Sequence, residues 1–228
     1  MLFDWNRIER WVPYLLQGLS ITLSVAFLAA LFGLVLGILI NAFSRRRFLR
    51  KVAFAYVDVF RGTPLILQLS MVYFAVPRLL SSVMDVYFDR QVTFLISAFT
   101  ASVITFSLNS AAYISEIIRS GVNSVDVGEI EAASALGVSK FHIYKDIILP
   151  IAFKNAFPAM MNELITLVKE SSIVSIIGLQ DLMRRQQIVT SQTFMFFEPL
   201  IIVGLVYYLV VKTMSFTGQW IERRLHHV

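Results

Sequence analysis

The stretch Glu131-Ala132-Ala133-Ser134-Ala135-Leu136-Gly137-Val138-Ser139-Lys140-Phe141-His142-Ile143-Tyr144-Lys145-Asp146-Ile147-Ile148-Leu149-Pro150 is a polar interruption between long apolar segments. Ala132, Ala133, Ser134 and Ala135 make a helical turn with almost no side-chain bulk, so another protein can approach its backbone closely. Gly137 offers the left-handed conformation that ends a helix, and Ser139 is placed to cap the start of a second one. The pattern predicts helix, sharp turn, helix, with the turn presented outward and Leu136, Val138 and Phe141 as apolar contacts. Pro150 is expected to end the second helix, because the residue before a proline is pushed away from helical geometry.

Around this loop the composition is that of a membrane protein. The 228 residues are 57% hydrophobic and 15% charged, with a mean hydropathy of +0.71. Soluble domains carry about 25% charged residues. One domain, 1–228, is the natural count. Cysteine is absent, which leaves neither a disulfide framework nor thiolate metal chemistry. The net charge of +5 comes from basic residues clustered beside apolar spans, where they serve topology and headgroup contact rather than nucleic acid binding. No phosphate-cradling Gly-x-x-x-x-Gly-Lys loop, dinucleotide fingerprint or Ser/His/Asp grouping is present, so no catalytic residue is assigned. His142, His226 and His227 do not have the setting of metal ligands, and no metal site is expected.

Upstream of the loop, no residue from Trp11 to Ser44 is charged. That run exceeds what a hydrocarbon core of about 30 Å needs. Pro13, Gln17, Gly18, Ser20 and Thr22 make its first third amphipathic, which predicts an interfacial helix at 8–20 and a first span at 22–42. A cleaved leader is not expected, given the length of the run and Asp4 and Glu9. The basic cluster Arg45, Arg46, Arg47, Arg50 and Lys51 places the next loop inside and the amino terminus outside. Asp58 and Arg61 are spaced to pair, and Thr63 to cap a helix that starts at Pro64. The second span is expected at 57–77. An outer loop with Asp85, Asp89, Arg78 and Arg90 leads to a third at 92–115. There Ser102, Thr105, Asn109 and Tyr113 form one polar stripe, with Glu116 and Arg119 able to pair at the inner end.

Downstream of the polar loop at 120–150, a fourth span at 157–177 contains Glu163, Lys169 and Glu170. Each costs roughly 2.5–3.5 kcal/mol near a helix centre on insertion scales. Glu163, Thr166 and Glu170 share a helix face. They form an internal ion-pair network with Lys169, a polar wall of a pathway, or both at once. Gln180 to Gln192 is expected outside although Arg184 and Arg185 lie in it. A fifth span at 199–219 ends before Arg223 and Arg224, which puts the carboxyl terminus inside.

Glu131, Ala132, Ala133, Gly137, Ile147, Leu149 and Pro150 fall at the spacing of the EAA loop, and the chain resembles the permease subunits of ATP-binding-cassette importers, in particular the polar amino acid permease family. Arg61-Gly62-Thr63-Pro64 with Leu65, Gln68 and Tyr73 is similar to that family's second-span motif, and Leu108 to Arg119 to its third. Lys169-Glu170-Ser171-Ser172 stands where the family usually has Lys-Asp-Thr-Ser. The resemblance implies an all-α integral membrane protein with the type I ABC importer permease fold: five spans and a cytoplasmic EAA coupling helix. It implies that Glu131, Ala132, Ala133, Leu136, Gly137 and Phe141 couple to a cytoplasmic ATPase dimer that carries the ATP and Mg, with no cofactor in this chain. It further implies a second permease copy or paralogue, a periplasmic or lipid-anchored amino acid binding protein, and residence in the lipid of the bacterial inner membrane. Candidate residues of the substrate pathway are Gln68, Asn109, Ser110, Tyr113, Glu163, Thr166, Lys169, Glu170 and Ser171. The acid face of Glu163 and Glu170 favours a basic amino acid such as arginine, with glutamine next. The rival expectation, a secondary transporter or channel without an ATPase, predicts inverted repeats and paired broken helices, which the sequence does not display.

Overall fold

The structure, a computed structural model, describes residues 5–44, 46–88 and 92–226. Asp4, Arg45, Asp89, Arg90 and His227 lie outside them. The described residues form helices and connecting loops, without a strand. A short helix α1 (Trp5–Ile8) and a 3₁₀ turn lead into α2 (Val12–Ser44), followed by α3 (Arg47–Gly62) and α4 (Leu65–Ser70). A π turn at Met71–Ala75 joins α4 to α5 (Val76–Phe88), and α6 (Ala98–Asn123) comes next. The polar loop contains α7 (Val127–Ala135) and α8 (Lys140–His142), and a π segment at Ile143–Ile148 runs into α9 (Leu149–Glu170). A 3₁₀ stretch at Ser171–Ile177, α10 (Leu182–Thr193) and α11 (Phe197–His226) complete the chain.

The axis of the molecule is the α2–α6 pair. Small residues at Ala29, Gly33 and Gly37, each four from the next, let the two backbones meet, as small-xxx-small patterns do in membranes. A Cβ at Gly33 would stand 2.9 Å from the Ser110 Cβ, and one at Gly37 2.8 Å from the Ile114 Cγ2. Val25, Ala26 and Ala29 of α2, Leu69 of α4, Phe106 of α6, and Leu167 and Val168 of α9 form the main core with Val174 and Ile177. A second core joins the start of α2 (Leu15) to α10 (Leu182, Val189) and α11 (Ile202, Val203). The opposite faces expose Phe27, Leu31, Phe32, Leu205 and Leu209, as suits a lipid solvent.

Among the described residues four helical stretches are long and apolar enough to cross a membrane: 6–44, 65–88, 98–123 and 197–225. α9 has the length, 22 residues or about 33 Å, but Lys154, Glu163, Lys169 and Glu170 deny it the apolarity. Several boundaries differ from the expectation. α2 runs unbroken where an interfacial helix at 8–20 was to give way to a span at 22–42, because Pro13 sits in the first turn, where it is tolerated. The second span was to run through 57–77, but the chain breaks at Thr63-Pro64, and the apolar helix starts at Leu65. The third helix starts at Ala98 rather than 92, with Ser97 accepting from the Thr100 N–H at 3.0 Å. The fourth ends as an α-helix at Glu170 and tightens into a 3₁₀ stretch.

Candidate functional site

At the polar loop, Asp126 starts α7 by accepting from the Gly128 N–H at 2.7 Å. The helix closes as a Schellman motif: the Val138 N–H donates to the Ala133 carbonyl at 3.1 Å and the Gly137 N–H to Ser134 at 3.0 Å. Gly137 has φ +77°, the left-handed value. Ser139 then caps the next turn through the His142 N–H at 3.5 Å. Ala133 alone of the six residues expected to couple is buried, while Leu136 is 84% and Phe141 68% exposed. Glu131, Ala132 and Gly137 are exposed with them. Pro150, expected to end the second helix, does not. The helix widens to a π turn over Ile143–Ile148, which removes the demand for an N–H at Pro150, and runs on into α9.

The α3–α4 break lies level with the middle of α6, since the Tyr56 hydroxyl donates to the Leu108 carbonyl at 2.6 Å. A helix end at that depth leaves carbonyls without partners, which lipid cannot supply. Two predicted pathway residues supply them. Gln68 Nε2 donates to the Phe60 carbonyl (2.9 Å), the Thr63 carbonyl (3.1 Å) and Thr63 Oγ1 (2.8 Å). Asn109 Nδ2 donates to the Phe60 carbonyl (3.1 Å) and Gln68 Oε1 (3.0 Å). Thr63 therefore does not cap α4; its hydroxyl donates back to the Val59 carbonyl at 2.8 Å and receives Gln68. The remaining hydroxyls of the stripe, Ser102 and Thr105, bond their own helix at the Ala98 and Ala101 carbonyls.

Arg61 does not pair with Asp58. Its guanidinium turns across to α6, 3.6 Å from the Glu116 carboxylate and over the Tyr113 ring at 5.2 Å. Glu116 also takes Arg119, whose Nε donates to Oε1 at 3.0 Å, as the spacing predicted. Arg61, Tyr113, Glu116 and Arg119 line two adjoining cavities of 380 and 670 Å³. Asn155 and Ala159 of α9 form part of the wall, and the same helix face continues to Glu163, Thr166 and Glu170. Glu163 faces the buried Ser110 hydroxyl across the α6–α9 contact. Among the described residues neither Glu163, Lys169 nor Glu170 has an ion-pair partner. Lys169 lies on a different wall, a 260 Å³ cavity with Ser172 and Tyr207. Ser171 is buried, its hydroxyl donating to the Val168 carbonyl at 2.7 Å. The nine predicted pathway residues thus separate into a clamp (Gln68, Asn109), one cavity-lining residue (Tyr113), the α9 face of Glu163, Thr166 and Glu170 with Ser110 buried opposite it, and two outliers (Lys169, Ser171). Sequence reasoning missed Asn155 and the bridging role of Arg61. It also missed Asp181, which is buried and caps α10 through the Arg184 N–H at 2.8 Å.

An all-helical chain with apolar stretches long enough to cross a membrane, a polar helix face and an exposed, nearly bare turn has the form of a membrane transport subunit. The chain matches the family described as binding-protein-dependent transport system inner membrane component over residues 33–227. It is 47% identical over 227 residues to the arginine transport system permease protein ArtQ of Bacillus subtilis (strain 168), covering 99% of this chain and 98% of that protein. To the glutamine transport system permease protein GlnP of Escherichia coli (strain K12) it is 33% identical, covering 99% of each. Its fold superposes on the crystal structure of an amino acid ABC transporter with histidines at a TM-score of 0.86 and 38% identity, covering 98% of this chain and 100% of that one. The MetNI methionine ABC transporter shares the fold at a TM-score of 0.70 and 23% identity, covering 95% and 97%. The chain belongs to the family of binding-protein-dependent transport system inner membrane components, and the type I ABC importer permease fold implied by its motifs is present.

Proposed function

We propose that this chain is the permease subunit of an ATP-binding-cassette importer that carries a polar amino acid across the bacterial inner membrane, a basic one such as arginine in preference and glutamine next. Energy comes from a cytoplasmic ATPase dimer that holds the ATP and Mg. A second permease copy or paralogue completes the pathway, and an external binding protein delivers the substrate. The amino terminus lies outside, which puts the polar loop on the ATPase side. The observation that carries this is the α7 turn. A Schellman-closed bend with four small exposed residues, Ala132, Ser134, Ala135 and Gly137, and three exposed apolar ones, Leu136, Val138 and Phe141, has the form of an element that seats in a groove of another protein. Nucleotide need only favour one of two packings of the helices for the seated turn to transmit force.

On the substrate side, the reading rests on the face of Glu163, Thr166 and Glu170, which continues a cavity wall and whose carboxylates carry no ion pair among the described residues. Relatives named for arginine and glutamine transport agree with that chemistry. The deciding experiment is reconstitution with the ATPase subunits. Gly137→Asp forces a side chain into the left-handed position, at about 1–2 kcal/mol, and adds charge to the seated turn. ATP hydrolysis should persist while uptake falls at least about tenfold; unchanged coupling refutes the role of the turn. Which amino acid stimulates the ATPase in the presence of the binding protein decides the substrate.

A further inference from the structure

α2, α6 and α9 diverge around a largely apolar slot of 470 Å³ that no other part of the described chain fills and that shares Ala156 with the wall of one Glu116 cavity. Its walls are Leu34, Ile38 and Ala42 of α2 with Asn41, whose amide is turned onto the Ser115 carbonyl at 3.3 Å, Ile118 and Val122 of α6, and α9 residues from Leu149 to Met160. Apart from the adjacent Asn41–Ala42 and Ala152–Phe153, the spacing along each helix is three or four, so each wall is one helix face. From Leu34 to Ala42 the slot extends about 12 Å, and from Leu149 to Met160 about 16 Å. Half of a hydrocarbon core is about 15 Å, so the slot is one leaflet deep. It is floored by a tight contact: a Cβ at Gly121 would lie 2.7 Å from the Ala152 carbonyl oxygen.

The two ends differ in charge. At the deep end, Leu34 and Met160 bring no polar atom. At the shallow end, Ala42 is followed by the turn in which the Arg46 N–H donates to the Phe43 carbonyl at 3.0 Å, and α3 opens with Arg47, Arg50 and Lys51. Across the slot, Tyr144 is followed by Lys145. Among the described residues none of Arg46, Arg47, Arg50, Lys51 or Lys145 has a carboxylate within ion-pair reach, and Asp146 is held by His142 at 3.0 Å.

We infer that this slot binds one acyl chain of an anionic phospholipid, with the headgroup on the cations of the α2–α3 turn and Lys145. A slot one leaflet deep and capped by several cations at one end matches a lipid in length and charge. Basic clusters beside spans attract anionic headgroups in general; here the apolar slot gives that attraction an address.

The test places the full chain in nanodiscs that contain phosphatidylglycerol or phosphatidylcholine carrying a diazirine near the acyl terminus, followed by photolysis and peptide mass spectrometry. Label should concentrate on Leu34, Ile118 and Met160, at least about fivefold more from phosphatidylglycerol. Val122→Trp, which fills the slot, should remove it. Arg46→Gln with Lys145→Gln, which leaves the packing intact, should bring the two lipids to parity without abolishing deep labelling. Equal labelling by both lipids in the unmodified chain, or label no denser here than on α11, overturns the site. So does disulfide capture of a second copy through cysteines placed at Val122 and Phe153, which would make the slot an interface.

Discussion

Two polar groupings at membrane depth, one joining α4 to α6 and the other on α9, differ in how much of their hydrogen-bonding capacity is used. Around Gln68 and Asn109 nearly every donor has a partner: the Phe60 and Thr63 carbonyls released by the break at Thr63-Pro64, the Thr63 hydroxyl, and Gln68 Oε1. Around Glu163 and Glu170 the carboxylates share one face of α9, in line with the cavity-lining Asn155 and Ala159, with no cation in ion-pair range among the described residues. Both groupings look alike in sequence, as costly side chains in apolar helices. The closed one holds a broken helix together; the open one has capacity left for something that is not part of the chain.

The contrast breaks first at Gln68. Replacing it with leucine orphans the Thr63 carbonyl and leaves the Asn109 amide short of an acceptor, at about 1–3 kcal/mol for each buried group left unsatisfied. Gln68→Leu should therefore lower the unfolding midpoint in nanodiscs more than any other change proposed here. A variant as stable as the parent but deficient in uptake would move Gln68 into the pathway. At the open grouping the signs reverse. Glu163→Gln removes a half-buried charge that has no ion pair, so stability should hold or rise while uptake falls about tenfold or more. Glu170→Gln should behave alike with a smaller loss, being further from the Arg61–Glu116 cavities. If Glu163→Gln unfolds the protein, the carboxylate is a structural group and the two regions are not different in kind.

How much of this could be read from the sequence follows from the range of the forces involved. The polar loop was legible because its geometry is local: Gly137, Ser139 and the small residues before them each act on neighbours within five positions. The Glu116–Arg119 pair was legible for the same reason. Gln68 and Asn109 could be named as polar residues to be buried, but not as a clamp, because their partners are 5 to 49 residues away and exist only after the helix breaks. Arg61 was misassigned because spacing along one helix offers Asp58, whereas packing offers Glu116 and the Tyr113 ring. Pro150 misled for a different reason: a π turn, invisible to a rule about the preceding residue, absorbs it. The signal that Asp181 carried was an acid just before an apolar-periodic helix, a capping position, obscured by attention to Arg184 and Arg185 as topology markers.

Asp181 stands between the two groupings and sharpens the comparison. It is fully buried; one carboxylate oxygen accepts from the Arg184 N–H, and the other has no hydrogen-bond partner in the described chain, nor does the Tyr207 hydroxyl. Burial pushes its carboxyl up from 3.8 to about 6, with the backbone N–H groups of the α10 start pulling the other way. A carboxyl whose pKa is raised on folding favours the protonated fold, so its contribution is greatest below about 4 and is lost as the pH rises through about 6. The substitution Asp181→Asn would keep the capping acceptor and carry no charge. The parent should thus gain a few degrees of midpoint between pH 7.5 and pH 5, about 2–4 °C for each kcal/mol in a chain of this size. The asparagine variant should show a smaller gain and a higher midpoint at pH 7.5. An identical pH response in the two proteins would mean that the free oxygen is solvated after all, and that the boundary between closed and open groupings does not run through α10.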